Sequence, residues 1–190
     1  MGRIVVTEFI SLDGVIEDPG GSESFRHGGW SFAISGGDEG PQFKLDETRA
    51  SVALLLGRVT YEGFAEAWPS RDGEFADKFN SMPKYVVSST LEQAGWNNST
   101  VLRGDLAEEV ARLTQEHDGE IVVHGSARLA QALLEHDLVD ELRLMLFPVV
   151  LGGGLRLFGE TSDKKTLHLV DSKVVGDGVL ILTYRPADLS

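Results

Sequence analysis

The sequence contains no cysteine among its 190 residues. Disulfide bonds, thiol nucleophiles and thiolate metal ligands are therefore excluded for this chain. Its five histidines show no metal-ligand spacing, so we predict no metal site. Neither a Walker phosphate-binding pattern nor the G-x-S-x-G elbow of many hydrolases occurs, which argues against those two classes of enzyme.

Positive charge and long apolar segments are also scarce. There are 17 Lys and Arg against 30 Asp and Glu, which gives a formal net charge of −13. No cluster of basic residues is visible, so we expect no nucleic-acid partner. No apolar run approaches the length of a membrane span, and the first residues lack the pattern of a signal peptide. We therefore expect no membrane partner and a cytoplasmic location.

Strand-like apolar runs alternate with helical patterns along most of the chain. The strand-like runs cover 3–12, 53–56, 84–88 and 121–123, and the helical patterns cover 41–52, 59–67, 106–113 and 126–134. This alternation predicts βαβ units, a mainly parallel sheet and a single domain over 1–190. Two further strand-like runs flank Gly176-Asp177-Gly178, which predicts an antiparallel hairpin near the C-terminus.

Four of the predicted strands end in small or polar turns. These turns are Asp13-Gly14, Gly57-Arg58, Ser88-Ser89 and Gly125-Ser126. In a parallel sheet they meet at one edge, where ligands of such folds bind. Each turn alone is as well explained by ordinary turn chemistry. Together, with Arg58 as a cation and Ser126 at a helix start, they predict a site for a phosphate-bearing ligand.

The segment from Val15 to Gly40 is unusually long for a loop and contains Trp30 and Phe32. Loops of this length in compact domains are usually functional or disordered. We expect it to cover the substrate side of the pocket and to become more ordered when ligand binds. Trp30 and Phe43 are the predicted substrate-binding residues.

Several of these segments together resemble the dihydrofolate reductase superfamily. Gly57 to Glu62 resembles its G-R-x-T-[WY]-E segment, and Tyr85 to Ser89 its strand ending in a serine pair. Glu120 to Arg128 resembles its strand and phosphate-binding glycine turn. Ser11 to Ile16 and Pro148 to Gly154 are more similar to the subgroup related to the riboflavin-biosynthesis reductase (RibD C-terminal) domain. The resemblance covers nearly the whole chain.

The resemblance implies a dihydrofolate-reductase-like three-layer α/β/α fold with a mostly parallel central sheet. It also implies an NADPH-dependent reductase of a small, pterin- or pyrimidine-like heterocycle. Arg58, Ser88 and Ser89 would hold the 2′-phosphate side of the cofactor. Thr60 and the turn from Gly125 to Arg128 would hold the pyrophosphate. The predicted cofactor-binding residues are Gly14, Val15, Ile16, Gly57, Arg58, Thr60, Ser88, Ser89, Gly125, Ser126, Ala127 and Arg128.

The catalytic assignment and the assembly state are less well defined by the sequence. Asp13 is the candidate for proton transfer or substrate orientation, and a plain Asp-Gly turn is its alternative. Asp46 and Glu47 lie near the position of the pterin-binding acid of dihydrofolate reductases, but their register does not clearly match. A non-catalytic nucleotide-binding module and a purely structural domain remain alternatives. We expect a homodimer, as the resemblance suggests, with the apolar run Leu142 to Leu151 as contact surface or core strand.

Overall fold

A computed structural model describes residues 1–187 of the chain. Among these residues, no helix combines the length and the apolar character needed to cross a membrane. The strands are β1 (Arg3–Ser11), β2 (Ser51–Gly57), β3 (Lys84–Val87), β4 (Ser99–Leu102), β5 (Glu120–Val123), β6 (Glu141–Phe147), β7 (Leu167–Val175) and β8 (Val179–Pro186). The α-helices are α1 (Glu39–Ala50), α2 (Arg58–Ala67), α3 (Glu74–Ser81), α4 (Leu106–Glu116) and α5 (Ala127–Glu135), and a short 3-10 helix spans Trp30–Ala33.

The eight strands form one sheet in the order β4-β3-β2-β5-β1-β6-β8-β7. The first six in this order are parallel, whereas β8 pairs antiparallel with both β6 and β7. The runs Ile4–Val6, Leu54–Leu56 and Ile121–Val123 are completely buried, because the parallel part of the sheet is covered on both faces. The predicted three-layer α/β/α fold, with its parallel sheet and C-terminal hairpin, is confirmed.

Helices on both faces of the sheet hold the strand ends in place. Leu113 of α4 and Leu133 of α5 pack against one face. Tyr61 of α2 and Phe79 of α3 pack against the other face. A fully buried side chain of this kind contributes about 1.5–3 kcal/mol. The edge of the sheet where α2 and α5 begin is therefore built on a well-packed core.

The run from Leu142 to Leu151 has two parts in the structure. Its first part belongs to β6, which lies between β1 and β8, and Leu142 is only 1% exposed. Pro148 follows the last residue of this strand. The core-strand interpretation therefore applies to the first part. In the second part Val150 is 67% exposed, so a contact surface there stays a prediction.

A candidate cofactor and substrate cleft

A cleft of about 1130 Å³ opens where the parallel strands end at their carboxyl termini. Ten of the twelve predicted cofactor-binding residues lie on its wall. Gly14 and Val15 instead belong to the turn after β1, where the carbonyl of Gly14 accepts a 3.0 Å hydrogen bond from the N–H of Leu157. The ten residues on the wall are Ile16, Gly57, Arg58, Thr60, Ser88, Ser89, Gly125, Ser126, Ala127 and Arg128.

Two glycines allow the starts of α2 and α5 to approach each other in this cleft. The N–H of Gly57 donates to the carbonyl of Gly125 at 3.1 Å. A Cβ on Gly57 would stand 2.5 Å from the Ser126 hydroxyl, and one on Gly125, whose φ is +112°, 2.8 Å from the Thr60 hydroxyl. A side chain at either position would therefore force the two turns apart. Two adjacent helix N-termini offer unpaired N–H groups, which suit a phosphate or pyrophosphate.

Arginines stand along the outer rim of the cleft. Arg58 is exposed, and its Nη1 lies 3.1 and 3.3 Å from the two carboxylate oxygens of Glu62. Arg103 donates to the carbonyl of Ser89 at 3.3 Å and to that of Leu91. Arg128 is also exposed at the wall. This end of the cleft is therefore cationic although the chain as a whole is strongly acidic.

Ser88 and Ser126, two of the three predicted serines, have different surroundings. The Ser88 hydroxyl accepts the backbone N–H groups of Thr90 at 3.2 Å and Leu91 at 3.0 Å. The Ser88 hydroxyl therefore stabilises the turn that contains it, as ordinary turn chemistry at Ser88-Ser89 predicts. Ser126 precedes α5, but its hydroxyl forms no capping bond and lies 3.4 Å from that of Thr60.

The inner end of the cleft contains Glu8, a buried carboxyl group in the middle of β1. Its Oε1 atom has no hydrogen-bond partner in the part of the chain that the structure describes. Burial raises the pKa of Glu8 to about 8, against the smaller lowering effect of the Lys44 ammonium. Glu8 is therefore a neutral carboxylic acid at pH 7, and such a group can donate as well as accept a hydrogen bond.

Three further ionisable groups lie near this inner end. Lys44 of α1 donates to the Thr7 hydroxyl at 2.8 Å and also pairs with Glu47. Burial alone would raise the pKa of Glu47, but Lys44 and neighbouring cations lower it, so this carboxylate stays ionised. Burial lowers the pKa of His124 to about 3, and its ring packs on Phe79 with centroids 5.3 Å apart. The His124 imidazole is therefore neutral at pH 7.

Asp13 lies outside the cleft. Its carboxylate accepts the Ser11 hydroxyl at 2.6 Å and the N–H groups of Leu151 at 3.1 Å and Gly152 at 2.8 Å. The hydroxyl contact first, and then the N–H contacts, lower the pKa of Asp13 to about 2. The ionised group ties the turn after β1 to the glycine-rich loop after β6. This geometry favours the turn interpretation over proton transfer.

Neither of the two predicted substrate-binding aromatics lines the cleft. Trp30 is buried, packs edge-on against Phe147 at 5.5 Å, and donates its ring N–H to the Glu17 carbonyl at 2.8 Å. Phe43 packs against the same cluster beneath the hairpin. The cleft is lined instead by Phe9, by the first part of the segment 15–40, and by Phe32 from its middle.

The predicted set leaves out much of the cleft wall, including the ionisable residues Glu8, Lys44 and Arg103. Glu8 could have been predicted from the sequence, because it is a single carboxylate inside the apolar run of β1. The signal for Lys44 was weak, since one lysine on an amphipathic helix is common. Arg103 follows β4, a short strand that the sequence pattern did not indicate.

A three-layer fold with a ligand cleft at the ends of parallel strands is the arrangement of dihydrofolate-reductase-like proteins. Enterococcus faecalis dihydrofolate reductase, in a structure with NADP(H), matches this chain with a TM-score of 0.58 and 17% identity, covering 98% of this chain and 97% of that one. At this identity the match concerns the fold alone.

The chain belongs to the RibD C-terminal domain family, whose model matches residues 3–181. It is similar to a putative riboflavin biosynthesis protein from Shewanella sp. PV-4, with 25% identity and a TM-score of 0.77 over 97% of this chain and 99% of that one. It is also 27% identical over 188 residues to the uncharacterized protein YyaP of Bacillus subtilis strain 168, covering 96% of this chain and 94% of that protein. The family supports a reductase of the riboflavin-pathway type.

Proposed function

We propose that this protein is an NADPH-dependent reductase of a small pterin- or pyrimidine-like heterocycle. The observation that carries the proposal is the division of the cleft into two chemically different ends. The outer end has two helix starts and several arginines, and the inner end has a buried carboxyl group without a partner. An anionic dinucleotide suits the outer end, and an uncharged ring with hydrogen-bonding atoms suits the inner end.

The residues at the outer end fit the phosphates of NADPH. Gly57 and Gly125 leave room for backbone to approach a ligand closely, and the first turns of α2 and α5 supply N–H donors. Thr60 would add a hydroxyl, and Arg58 and Ser89 would take the 2′-phosphate. When bound, NADPH supplies a hydride, and the chain orients it and excludes water.

Asp13 and Trp30 would then contribute to the site through the loops that they hold. Asp13 fixes the turn that carries Ile16 to the cleft wall. Trp30 anchors the segment that contributes Phe32. These are positioning roles.

We also propose that the protein is a homodimer, with β7 at the contact. β7 is the last strand of the sheet, and Leu169, Val170 and Val174 on it are 53%, 49% and 65% exposed. An exposed edge strand with apolar side chains is a natural surface for a second chain. Light scattering that shows a monomer at micromolar concentration would contradict this assignment.

The test of the function has two steps. The first is a fluorescence titration with NADPH, for which we expect saturable binding. The second follows NADPH consumption with a panel of pterins and pyrimidines, with and without a ribosyl phosphate, and we expect at least one substrate. Binding without consumption would favour the nucleotide-binding module, and absence of binding would contradict both functions.

A further inference from the structure

Glu8 stands at the junction between the two ends of the cleft. Its Oε1 atom lies 3.6 Å from the point that a Cβ on Gly125 would occupy, so the carboxyl group borders the turn proposed to hold the cofactor. Its chain neighbours Thr7 and Phe9 line the inner end, where the substrate would bind. A group at this junction would lie between the bound cofactor and the bound substrate.

The surroundings of Glu8 leave its carboxyl group neutral and available. The charged groups that act on it are Lys44, which favours the ionised form, and Glu47 and Glu23, which oppose it. Lys44 is already bonded to Thr7 and Glu47, so its charge is largely neutralised. A buried carboxyl group without a partner is costly unless a ligand or a proton satisfies it.

We propose that Glu8 is the acid of this site and supplies the proton that completes the reduction of a ring C=N bond. The inference rests on the proposed function. The bound NADPH would supply the hydride for the new C–H bond and with it both electrons of the reduction. The electron pair of the C=N π bond takes the proton of the Glu8 carboxyl to form an N–H bond. Glu8 is left as a carboxylate, which regains a proton from water after product leaves.

The other acidic or basic groups near the cleft do not suit this role. His124 is neutral, and its ring packs against those of Phe64 and Phe79. Asp13 is ionised and fully engaged by Ser11 and the N–H groups of the loop after β6. Glu47 is held in ion pairs with Lys44 and Arg143. Glu8 is the buried carboxyl group that none of the described contacts engages.

The first test replaces the acid without changing its shape. Glu8→Gln should bind NADPH as the wild type does but lose about 10²- to 10⁴-fold in kcat/KM on a heterocycle that the wild type reduces. Wild-type kcat/KM should fall as pH rises through about 8, and this step should be missing in the variant. Glu8→Asp should restore part of the rate. Glu66→Gln, on an exposed part of α2 outside the cleft, is the matched control and should behave as wild type.

The second test needs no substrate. The carboxyl carbons of ¹³C-labelled glutamate are followed by NMR in the NADPH complex, with Glu8 assigned by its absence in Glu8→Gln. We expect a midpoint near 8. A midpoint in the ordinary carboxyl range, or full turnover by Glu8→Gln, overturns the role of Glu8 and leaves the reductase proposal standing. Failure to bind NADPH overturns both.

Discussion

Buried carboxyl groups have charged partners at the amino ends of the parallel strands, but Glu8 at the carboxyl ends has none among the described contacts. At the amino ends, a charge network joins Arg3, Glu120, Glu141, Arg143 and Arg185, and Arg143 also contacts Glu47 of α1. Arg143 lies 2.8 Å from Glu120 and 2.6 Å from Glu141, and Arg185 lies 2.9 Å from Glu141. At the carboxyl ends, Glu8 has a buried oxygen with no described partner.

The difference separates the buried carboxyl groups that are paired with arginines from Glu8, which is available to a ligand. Burial by itself would raise the pKa of Glu120, but its bonds to Arg143 and Arg3 lower it. The pKa of Glu8 is raised because burial outweighs Lys44. Paired carboxylates have their charge compensated within the fold, whereas an unpaired one carries a free energy cost that a ligand can relieve.

The largest expected effect comes from breaking the charge network. Arg143→Met would leave Glu47, Glu120 and Glu141 short of a buried partner. We expect the free energy of unfolding in urea to fall by about 3–5 kcal/mol, as for other buried ion pairs that lose one member. The control is Arg112→Met, which removes exposed pairs with Glu109 and Glu116 and should cost about 0–1 kcal/mol. Equal losses of unfolding free energy in the two variants would show that burial does not strengthen the contribution of the network to stability.

Glu8 should make stability depend on pH in the direction opposite to that of the network. Its folded pKa of about 8 is above the usual glutamate pKa of 4.5, so the folded state keeps a proton that the unfolded state releases. The stabilisation is complete below the unfolded pKa and is lost as pH rises towards the folded pKa. Between pH 5 and 7 this loss is roughly 2–3 kcal/mol.

The Glu8→Gln variant isolates this contribution. It should approach the wild type in stability at pH 5 and exceed it at pH 8, as measured by urea unfolding across that range. Glu120, whose folded pKa is lowered, should instead lose stability as pH falls through that pKa. Parallel stability curves for wild type and Glu8→Gln would contradict the assignment of a protonated Glu8.

A smaller effect is expected at the outer end of the cleft. A hydrogen bond to a charged group contributes about 1.5–3 kcal/mol, which is roughly 10- to 150-fold in affinity. Arg58→Ala should weaken NADPH by about that factor and leave NADH nearly unchanged, in fluorescence titrations of both cofactors. The rim is open and Glu62 competes for Arg58, so added salt should reduce the preference. Equal losses of affinity for the two cofactors would contradict the assignment of Arg58 to the 2′-phosphate.

Much of the cleft could be predicted because its parts lie at strand ends, which local patterns reveal. Gly57, Arg58 and Gly125 each stand within two residues of the end of an apolar run, so a parallel sheet places them together. β4 was not predicted, because two of its four residues are polar and the strand is partly exposed. Arg103, which follows β4, was missed for the same reason.

The remaining differences arise from contacts between distant parts of the chain. Asp13 is bound by loop N–H groups 138 and 139 positions away, which no local pattern shows. Trp30 and Phe43 pack beneath a hairpin formed by the last strands. The position of Glu8 within a strand was readable, but whether a cation pairs with it depends on α1 and the segment that covers the cleft.

The most direct test of the division between the two ends is an amide NMR titration with NADPH. We expect saturable shifts at Gly57, Thr60, Ser89 and Gly125, with those of Arg3 and Arg185 at the charge network unchanged. The same titration of Arg58→Ala should require more NADPH to reach the same shifts. If NADPH caused no saturable shifts, or if the shifts centred on the charge network, the cleft would not be the nucleotide site and the account would be contradicted.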